Sequence, residues 1–203
     1  MRTRKIITYK NGAYDGEALG KKRDGKGTMT YNDGTILKGE FQDDIMNGEG
    51  IVQFPNGDRY EGNIRYEKLE GQGKLIYSSG DRYEGTFKNN KRDGKGFLFL
   101  TDGSKYEGEW KDNKMNGNGL FIFSNGEMYE GAFKNGKMEG MGRYHFLNGD
   151  KYEGNIKNDA PNGKGVFHRA DGVSEYGDFI EGEREGEFTI VYNKTGEQEK
   201  VNY

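Results

Sequence analysis

Hydrophobic and polar residues alternate along most of the chain. In one segment Tyr106, Gly108 and Trp110 alternate with Glu107 and Glu109, and a glycine and two phenylalanines alternate with other residues over 119–123. A spacing of two is typical of β-strands that bury one face. The pattern therefore predicts short, half-buried strands, which makes the chain all-β.

The alternating segments recur every 23 residues from one end of the chain to the other. Glycine marks this period in four series, which begin at Gly16, Gly25, Gly27 and Gly34. A fixed period of this length is the signature of a repeat protein, in which neighbouring units stack and an extended surface carries the function. The chain is therefore expected to act through a surface rather than through one enclosed site.

The unbroken period predicts a single domain. We expect one array over 1–203, with an N-terminal capping half repeat over 1–13, about eight repeats over 14–196 and a C-terminal capping strand over 197–203. Atypical terminal units are expected of capped arrays. The outer units depart from the pattern at positions where the other repeats have an aromatic residue or a glycine, namely Ala18, Leu37, Glu175 and Phe188.

Two kinds of connection join the predicted strands. Asp-Gly or Asn-Gly follows one strand of six repeats, and because these residues tolerate positive φ, we expect tight hairpin turns there. The positions are Asp33-Gly34, Asn56-Gly57, Asp102-Gly103, Asn125-Gly126, Asn148-Gly149 and Asp171-Gly172. The other connection is a polar stretch such as 111–116, which predicts a longer loop. Together they predict an elongated, twisted antiparallel meander one layer thick.

The glycines have two expected roles. Those of the first series share a strand face with aromatic residues, so each glycine removes a side chain and leaves room for a ring. A sheet of one layer buries apolar area in this way without a second layer. Near the polar stretches, Gly117 and Gly140 are instead expected to supply positive φ.

Composition narrows the class of protein. Hydrophobic residues make up 31% and charged residues 32% of the chain, a balance that favours disorder, but the 14 Tyr, 12 Phe and one Trp fall largely within the period and predict order. The net charge of −3 gives no attraction to nucleic acid, and the lack of cysteine excludes disulfides and thiolate chemistry. No apolar run approaches the roughly 20 residues of a membrane span or forms a signal peptide. We therefore expect a cytoplasmic protein.

The repeated string has the form Tyr-Glu-Gly-x-aromatic, a Lys/Asn-rich stretch, Gly-x-Gly and an Asp/Asn-Gly turn. Two full examples are 83–87 with 94–96 and 106–110 with 117–119. This string resembles the MORN repeat (membrane occupation and recognition nexus) over essentially the whole chain. The resemblance implies an elongated, twisted antiparallel sheet that is not itself a catalyst.

MORN arrays occur in radial-spoke heads of cilia, junctophilins, plant phosphatidylinositol-phosphate kinases, a histone lysine methyltransferase and parasite cytoskeletal scaffolds. The resemblance implies a non-enzymatic scaffold or adaptor that binds proteins in a cytoskeletal or ciliary assembly, such as the radial spokes of an axoneme. The alternative is a peripheral module that binds phosphoinositides or anionic lipids at the cytosolic face of a membrane. A third alternative is an accessory subunit of a separately encoded enzyme.

The aromatic side of the predicted sheet is the first candidate site. An aromatic groove suits a partner helix or peptide, because Tyr and Trp are over-represented among the residues that dominate binding energy. The residues expected to carry this contact are Tyr83, Phe87, Tyr106, Trp110, Tyr129 and Phe133. Packing within the sheet is the alternative explanation for the same rings.

The opposite side of the sheet carries apolar residues where polar ones are expected. Those in successive repeats are Phe97, Phe99, Leu120 and Ile122. Such a stripe predicts a second interface, which a homodimer would use. Isolated apolar residues are also common on protein surfaces, and this is the alternative explanation.

Basic residues recur in the polar stretches. Contact with phosphoinositides or an anionic membrane is predicted at Lys88, Lys91, Arg92, Lys114 and Lys137. The alternative is a solvated loop edge, since acidic residues lie nearby and the chain is negative overall.

No group of residues outside the period suggests catalysis. One glutamate per repeat lies near a basic residue, which predicts cross-strand ion pairs rather than a cation site. His145 and His168 lie one period apart without further ligands, so we predict no metal site. The Gly-Lys-Gly run at 25–27 lacks the spacing of a phosphate loop. We predict no enzyme activity, no cofactor, no small-molecule substrate and no nucleic-acid partner.

Overall fold

The computed structural model describes all residues from Met1 to Tyr203. The chain consists of 18 β-strands and the connections between them. It divides into two compact units, Met1–Thr101 and Asp102–Tyr203. Within each unit every strand pairs antiparallel with the next, so that each unit is a single-layer meander. This confirms the predicted fold class. No helix in the chain has the length and apolarity needed to cross a membrane.

The strands are numbered in chain order. The first unit contains β1 to β9, which cover Thr3–Tyr9, Gly12–Leu19, Lys22–Tyr31, Ile36–Gln42, Ile45–Gln53, Arg59–Arg65, Lys68–Ile76, Arg82–Lys88 and Lys91–Phe99. The second contains β10 to β18, which cover Lys105–Lys111, Lys114–Ile122, Met128–Lys134, Lys137–His145, Lys151–Lys157, Ala160–His168, Val173–Ile180, Glu183–Tyr192 and Gln198–Asn202.

The two sides of each unit differ in character. The tyrosine face carries Tyr14, Tyr60, Tyr83, Tyr106, Tyr129 and Tyr152, and the glutamate face carries Glu61, Glu84, Glu107, Glu130 and Glu153. The register keeps each face in line across the strands, since Tyr106 pairs with Phe121 and Glu107 with Leu120. The buried hydrophobic side chains lie on the tyrosine face, which therefore holds the core.

A tyrosine ring covers two glycines in each regular repeat. Tyr106 is buried, and its ring lies over Gly108 on its own strand and Gly119 on the next strand. A Cβ atom at Gly119 would lie 2.5 Å from Tyr106 Cε2 and 2.7 Å from its Cζ, which is closer than any packed carbon allows. The predicted role of these glycines, to leave room for rings, is confirmed. Edge-on contacts with Trp110 at 5.3 Å and Phe133 at 5.0 Å complete the core around this ring.

A β-bulge gives the tyrosine hydroxyl a partner. The β10–β11 register shifts between Gly108 and Trp110 and skips Glu109. A bulge leaves backbone groups outside the regular ladder, and an unpaired buried carbonyl is costly. The Tyr106 hydroxyl donates a hydrogen bond to the Glu109 carbonyl at 3.0 Å. The other five tyrosines of this face make the same bond to the residue three positions on.

The tight and the long connections are interchanged relative to the prediction. The polar stretch expected to form a longer loop contains a two-residue turn, Asp112-Asn113, whose φ values of 47° and 69° are both positive. Positive φ at both central residues defines the type I′ turn, whose twist suits a hairpin. Asn and Asp reach this conformation more easily than most residues, because their short side chains hydrogen-bond locally.

The Asn-Gly and Asp-Gly pairs lie in loops of four or five residues instead of two-residue turns. In the loop 123–127, Phe123 N donates to Glu127 O and Gly126 N donates to Phe123 O, both at 2.9 Å. Gly126 has a φ of 94° and supplies the left-handed residue that ends such a loop. The expected positive φ of Gly117 and Gly140 is confirmed, with values of 82° and 103°.

The first unit replaces a missing tyrosine ring by a methionine. Leu37 stands at the tyrosine position of β4 and is buried. The terminal methyl group of Met46, on the neighbouring strand β5, fills the space above Gly39 and Gly50 that a tyrosine ring occupies elsewhere. A flexible thioether suits such an irregular space.

The last repeat exchanges two positions. Glu175 stands where the other repeats have tyrosine, and Phe188 stands where they have glycine. The Phe188 ring lies over Gly177, where a Cβ atom would be 2.5 Å from Phe188 Cδ2. Glu175 is buried and accepts a hydrogen bond from Arg184 Nε at 2.5 Å. The ring above the glycine is therefore kept, although it comes from the opposite strand.

We expect the fold to lose stability above pH 10. Burial raises the pKa of Tyr83, Tyr129 and Tyr152 to about 12 from an ordinary value of 10.0. Because the folded-state pKa exceeds the unfolded one, this stabilisation is complete below pH 10 and is lost as the pH rises towards 12. Denaturant unfolding followed by circular dichroism at about pH 8 and about pH 11 measures the loss. Equal free energies of unfolding at the two values would contradict it.

Candidate functional site

The six aromatic residues predicted to contact a partner form the core of the tyrosine face. Their exposed fractions are 0 to 4% for Tyr83, Phe87, Tyr106, Trp110, Tyr129 and Phe133. The expectation that these rings present a surface is wrong, because each tyrosine lies flat on two glycines and the aromatic residues of its own and a neighbouring repeat pack against its edges. A partner on this face meets other side chains.

Those side chains form an aromatic ladder in the second unit. We define the aromatic ladder as Phe121, Phe123, Tyr144, Phe146 and Phe167, all of them half-buried. Ring centroids lie 4.7 Å apart within a strand segment, for Phe121–Phe123 and Tyr144–Phe146. Between segments the distances are 5.6 Å for Phe123–Tyr144 and 5.7 Å for Phe146–Phe167. The five rings are therefore in continuous contact. The Arg184 guanidinium lies over the last ring, 5.1 Å from the Phe167 ring centroid.

The ladder was missed by the sequence-based choice of residues. The signal for it was the alternation after the third glycine series, since Phe121 and Phe123 lie two and four residues after Gly119. The register then places Phe121 opposite Tyr129, on the tyrosine face. The equivalent half-buried positions of the first unit are largely aliphatic or tyrosine: Phe54, Leu75, Tyr77, Leu98 and Leu100.

A carboxylate lies beside the ladder. The Tyr144 hydroxyl donates a hydrogen bond of 2.8 Å to Glu127 Oε2. This bond, together with one from Asn125, lowers the pKa of Glu127 below its usual value, so the group stays ionised. Asp150 holds the equivalent place in the next loop, where its Oδ1 accepts a hydrogen bond from Ala170 N at 2.8 Å. One face of the ladder is thus apolar and its loop edge is acidic.

Seven consecutive segments of the chain match one known repeat family. The MORN repeat matches residues 14–36, 38–59, 60–82, 83–105, 106–128, 129–151 and 152–174. The chain belongs to the MORN-repeat family. No curated protein matches it in sequence.

Two solved structures are similar to this MORN-repeat protein at low identity. The TCP domain of SAS-4 (dCPAP) from Drosophila melanogaster, in complex with a proline-rich motif of Ana2 (dSTIL), is 16% identical, with a TM-score of 0.50, over 88% of this chain and 90% of that one. A mutant TCP10 domain of Danio rerio CPAP is 11% identical, with a TM-score of 0.36, over 98% of both chains. At 16% identity, the likeness to the SAS-4 domain shows the fold alone.

The glutamate face of the MORN array carries the predicted second stripe. Phe97 pairs with Glu84 and Phe99 with Arg82 in the first unit. Phe97 is 44% exposed, and the Arg82 guanidinium covers the Phe99 ring at 4.3 Å. In the second unit, Leu120 and Ile122 lie half-buried on the same face. The side chains thus lie on the predicted face, and the homodimer interface stays a prediction.

The basic residues proposed for lipid contact divide into two groups. Lys88 and Lys91 pair directly across a two-residue turn, and Lys114 and Lys137 follow equivalent turns. Arg92 does not belong with them, because it lies on the tyrosine face, with its guanidinium 5.6 Å from the Tyr83 ring centroid. All five residues lie in strands, at or next to the turns. Lipid contact by Lys88, Lys91, Arg92, Lys114 and Lys137 stays a prediction.

Ion pairs hold Glu61, Glu84 and Glu153 of the glutamate row. Arg143 Nε lies 3.0 Å from Glu153 Oε2 across β13 and β14, and Lys74 pairs with Glu84 at 3.4 Å. These pairs confirm the predicted cross-strand ion pairing. The two histidines flank Lys151 in register on the same face, and the chain has no group of three or more potential metal ligands.

Proposed function

We propose that this MORN-repeat protein is a non-enzymatic scaffold that binds a protein partner through the aromatic ladder. The observation that carries the proposal is the ladder itself, a continuous set of five half-exposed rings on a rigid sheet. Soluble proteins rarely leave such a patch open unless it makes a contact, and aromatic residues contribute most to binding energy. The buried tyrosine–glycine core holds the rings in place.

The proposed cellular setting is a cytoskeletal or ciliary assembly in the cytoplasm. MORN arrays act in such assemblies by joining larger components, and a repeat surface suits this role because it is long relative to its mass. The TCP domain of similar fold forms a complex with a peptide motif. That complex supports a peptide as the kind of partner that this chain binds.

Loss of two ladder rings is expected to weaken partner binding. A random peptide library displayed on phage and selected on the purified chain should yield ligands whose Kd rises by about tenfold or more in a Phe123→Ser/Phe146→Ser variant. Removing two contact rings costs about 1.4 kcal/mol or more, which corresponds to this factor. Fluorescence anisotropy with the selected peptides measures it.

The matched control is Met141→Ser, which removes an exposed apolar side chain from the glutamate face. It should leave the Kd unchanged. Peptides that bind the ladder variant as tightly as the native chain would refute the proposal, and so would a selection without any ligand.

A further inference from the structure

We propose that the ladder binds an extended polyproline II segment with proline at every third position and basic residues between. The inference rests on the proposed function and names the conformation and chemistry of the partner. Three features of the second unit carry it: the spacing of the rings, their mutual tilt and the charge of the adjacent loops.

The spacing of equivalent rings matches a polyproline II helix. Phe121, Tyr144 and Phe167 occupy the same position in successive repeats, and each repeat contributes two strands. Two strands advance by about 9.6 Å, and three residues of polyproline II advance by about 9.3 Å. Seven residues of an α-helix advance by about 10.5 Å. Over two repeats the mismatch is about 0.6 Å for polyproline II and about 1.8 Å for the helix, so the former stays in phase.

The tilt of the rings leaves steps between them. Successive rings of the ladder are inclined by 39° to 50° to each other and are not stacked flat. Each of two repeats therefore presents a pair of inclined rings in contact, Phe121 with Phe123 and Tyr144 with Phe146. Aromatic-lined notches are the sites at which proline rings of a polyproline II segment dock, because the segment is already extended and loses little entropy on binding.

The negative charge of the loops beside the ladder favours basic residues between the prolines of the bound segment. Glu127 and Asp150 lie one per repeat beside the ladder, where each accepts a hydrogen bond from an uncharged donor. Arg184, the cation against Phe167, is already ion-paired with Glu175. Polyproline II has three residues per turn, so that when one row of side chains faces the rings another faces the edge. A lysine or arginine in that row meets a carboxylate in each repeat.

Peptide spacing is the variable to test. A fluorescein-labelled nonapeptide with prolines at positions one, four and seven and arginines at the other six positions should bind the full chain about tenfold more tightly than the nonapeptide of the same composition with prolines at one, five and nine. The same measurement with glutamates in place of the arginines should give at least threefold weaker binding.

Two variants locate the contact. Phe123→Ser/Phe146→Ser should remove binding of the three-spaced peptide, with circular dichroism showing that the sheet is intact. Glu127→Gln keeps the hydrogen bond from Tyr144 and should weaken only the arginine peptide, by about threefold. A three-spaced peptide that binds the serine variant undiminished would overturn the inference.

The outcomes separate this inference from the proposed function. If the peptide library yields ladder-dependent ligands that are helical or lack three-residue proline spacing, the inference fails and the proposed function stands. If sedimentation shows a dimer that the serine variant abolishes, the occupant is a second copy and the inference fails. If no ligand depends on the ladder, both fail.

Discussion

Gly119→Ala is expected to lower the free energy of unfolding by about 3 kcal/mol or more, although it adds a single methyl group. The methyl carbon would lie 2.5 Å from Cε2 of Tyr106. The ring cannot retreat, because its hydroxyl bonds the Glu109 carbonyl at 3.0 Å and Trp110 and Phe133 pack against its edges. Chemical denaturation followed by circular dichroism measures the loss.

The control for this variant is Gly136→Ala, in the two-residue turn between β12 and β13. Gly136 has a φ of 89° and open space around its Cα, so an added methyl group meets no neighbour. Only the cost of placing alanine at positive φ remains, about 1 kcal/mol. If both variants lost the same free energy, the tyrosine–glycine contact would not be the source of the effect at Gly119.

Restoring the regular pattern in the last repeat is expected to rescue an otherwise damaging substitution. Phe188→Gly should cost about 3 to 5 kcal/mol, because it removes the ring above Gly177 and its edge-on contacts with Phe179 and Tyr203 at 5.3 and 5.2 Å. Glu175→Tyr alone should also destabilise, because its ring would enter the space that Phe188 fills. The double variant rebuilds a tyrosine over two glycines and should be more stable than Phe188→Gly by about 2 kcal/mol.

The comparison variant is Glu175→Gln/Phe188→Gly, which removes the charge at 175 without adding a ring. It should be no more stable than Phe188→Gly alone. A double-mutant cycle from denaturant unfolding gives the coupling energy. Additive losses for Glu175→Tyr and Phe188→Gly would show that the two positions do not exchange roles.

Local patterns predicted most of the fold. Strand alternation at Tyr106, Gly108 and Trp110 depends only on the side-chain direction along one strand, and the structure keeps it. The same rule placed Phe97 and Ile122 on the face opposite the tyrosines. The turns were misjudged because Asp-Gly and Asn-Gly fit both a two-residue turn and the glycine of a longer loop, and only the pairing register distinguishes them.

The candidate site was less predictable, because exposure depends on neighbouring repeats. Trp110 is of a residue type that is enriched at binding sites, yet the structure buries it against Tyr106. Phe123 was seen only as part of a strand pattern, and its contact with Tyr144 joins residues 21 positions apart. Arg92 follows a turn in sequence. It pairs with Phe87, between this turn and the β-bulge of β8, and therefore lies on the tyrosine face.

The amino-acid sequence by itself determined the repeat, the strands, their two faces and the family, because the 23-residue period and the spacing of two are local properties of the chain. The tertiary structure alone decided which aromatic residues are core and which are surface. Its register sets one tyrosine ring on each pair of glycines and leaves the rings of the next positions, from Phe121 to Phe167, half open to solvent. Burial is a relation between strands, and a pattern along one strand does not contain it.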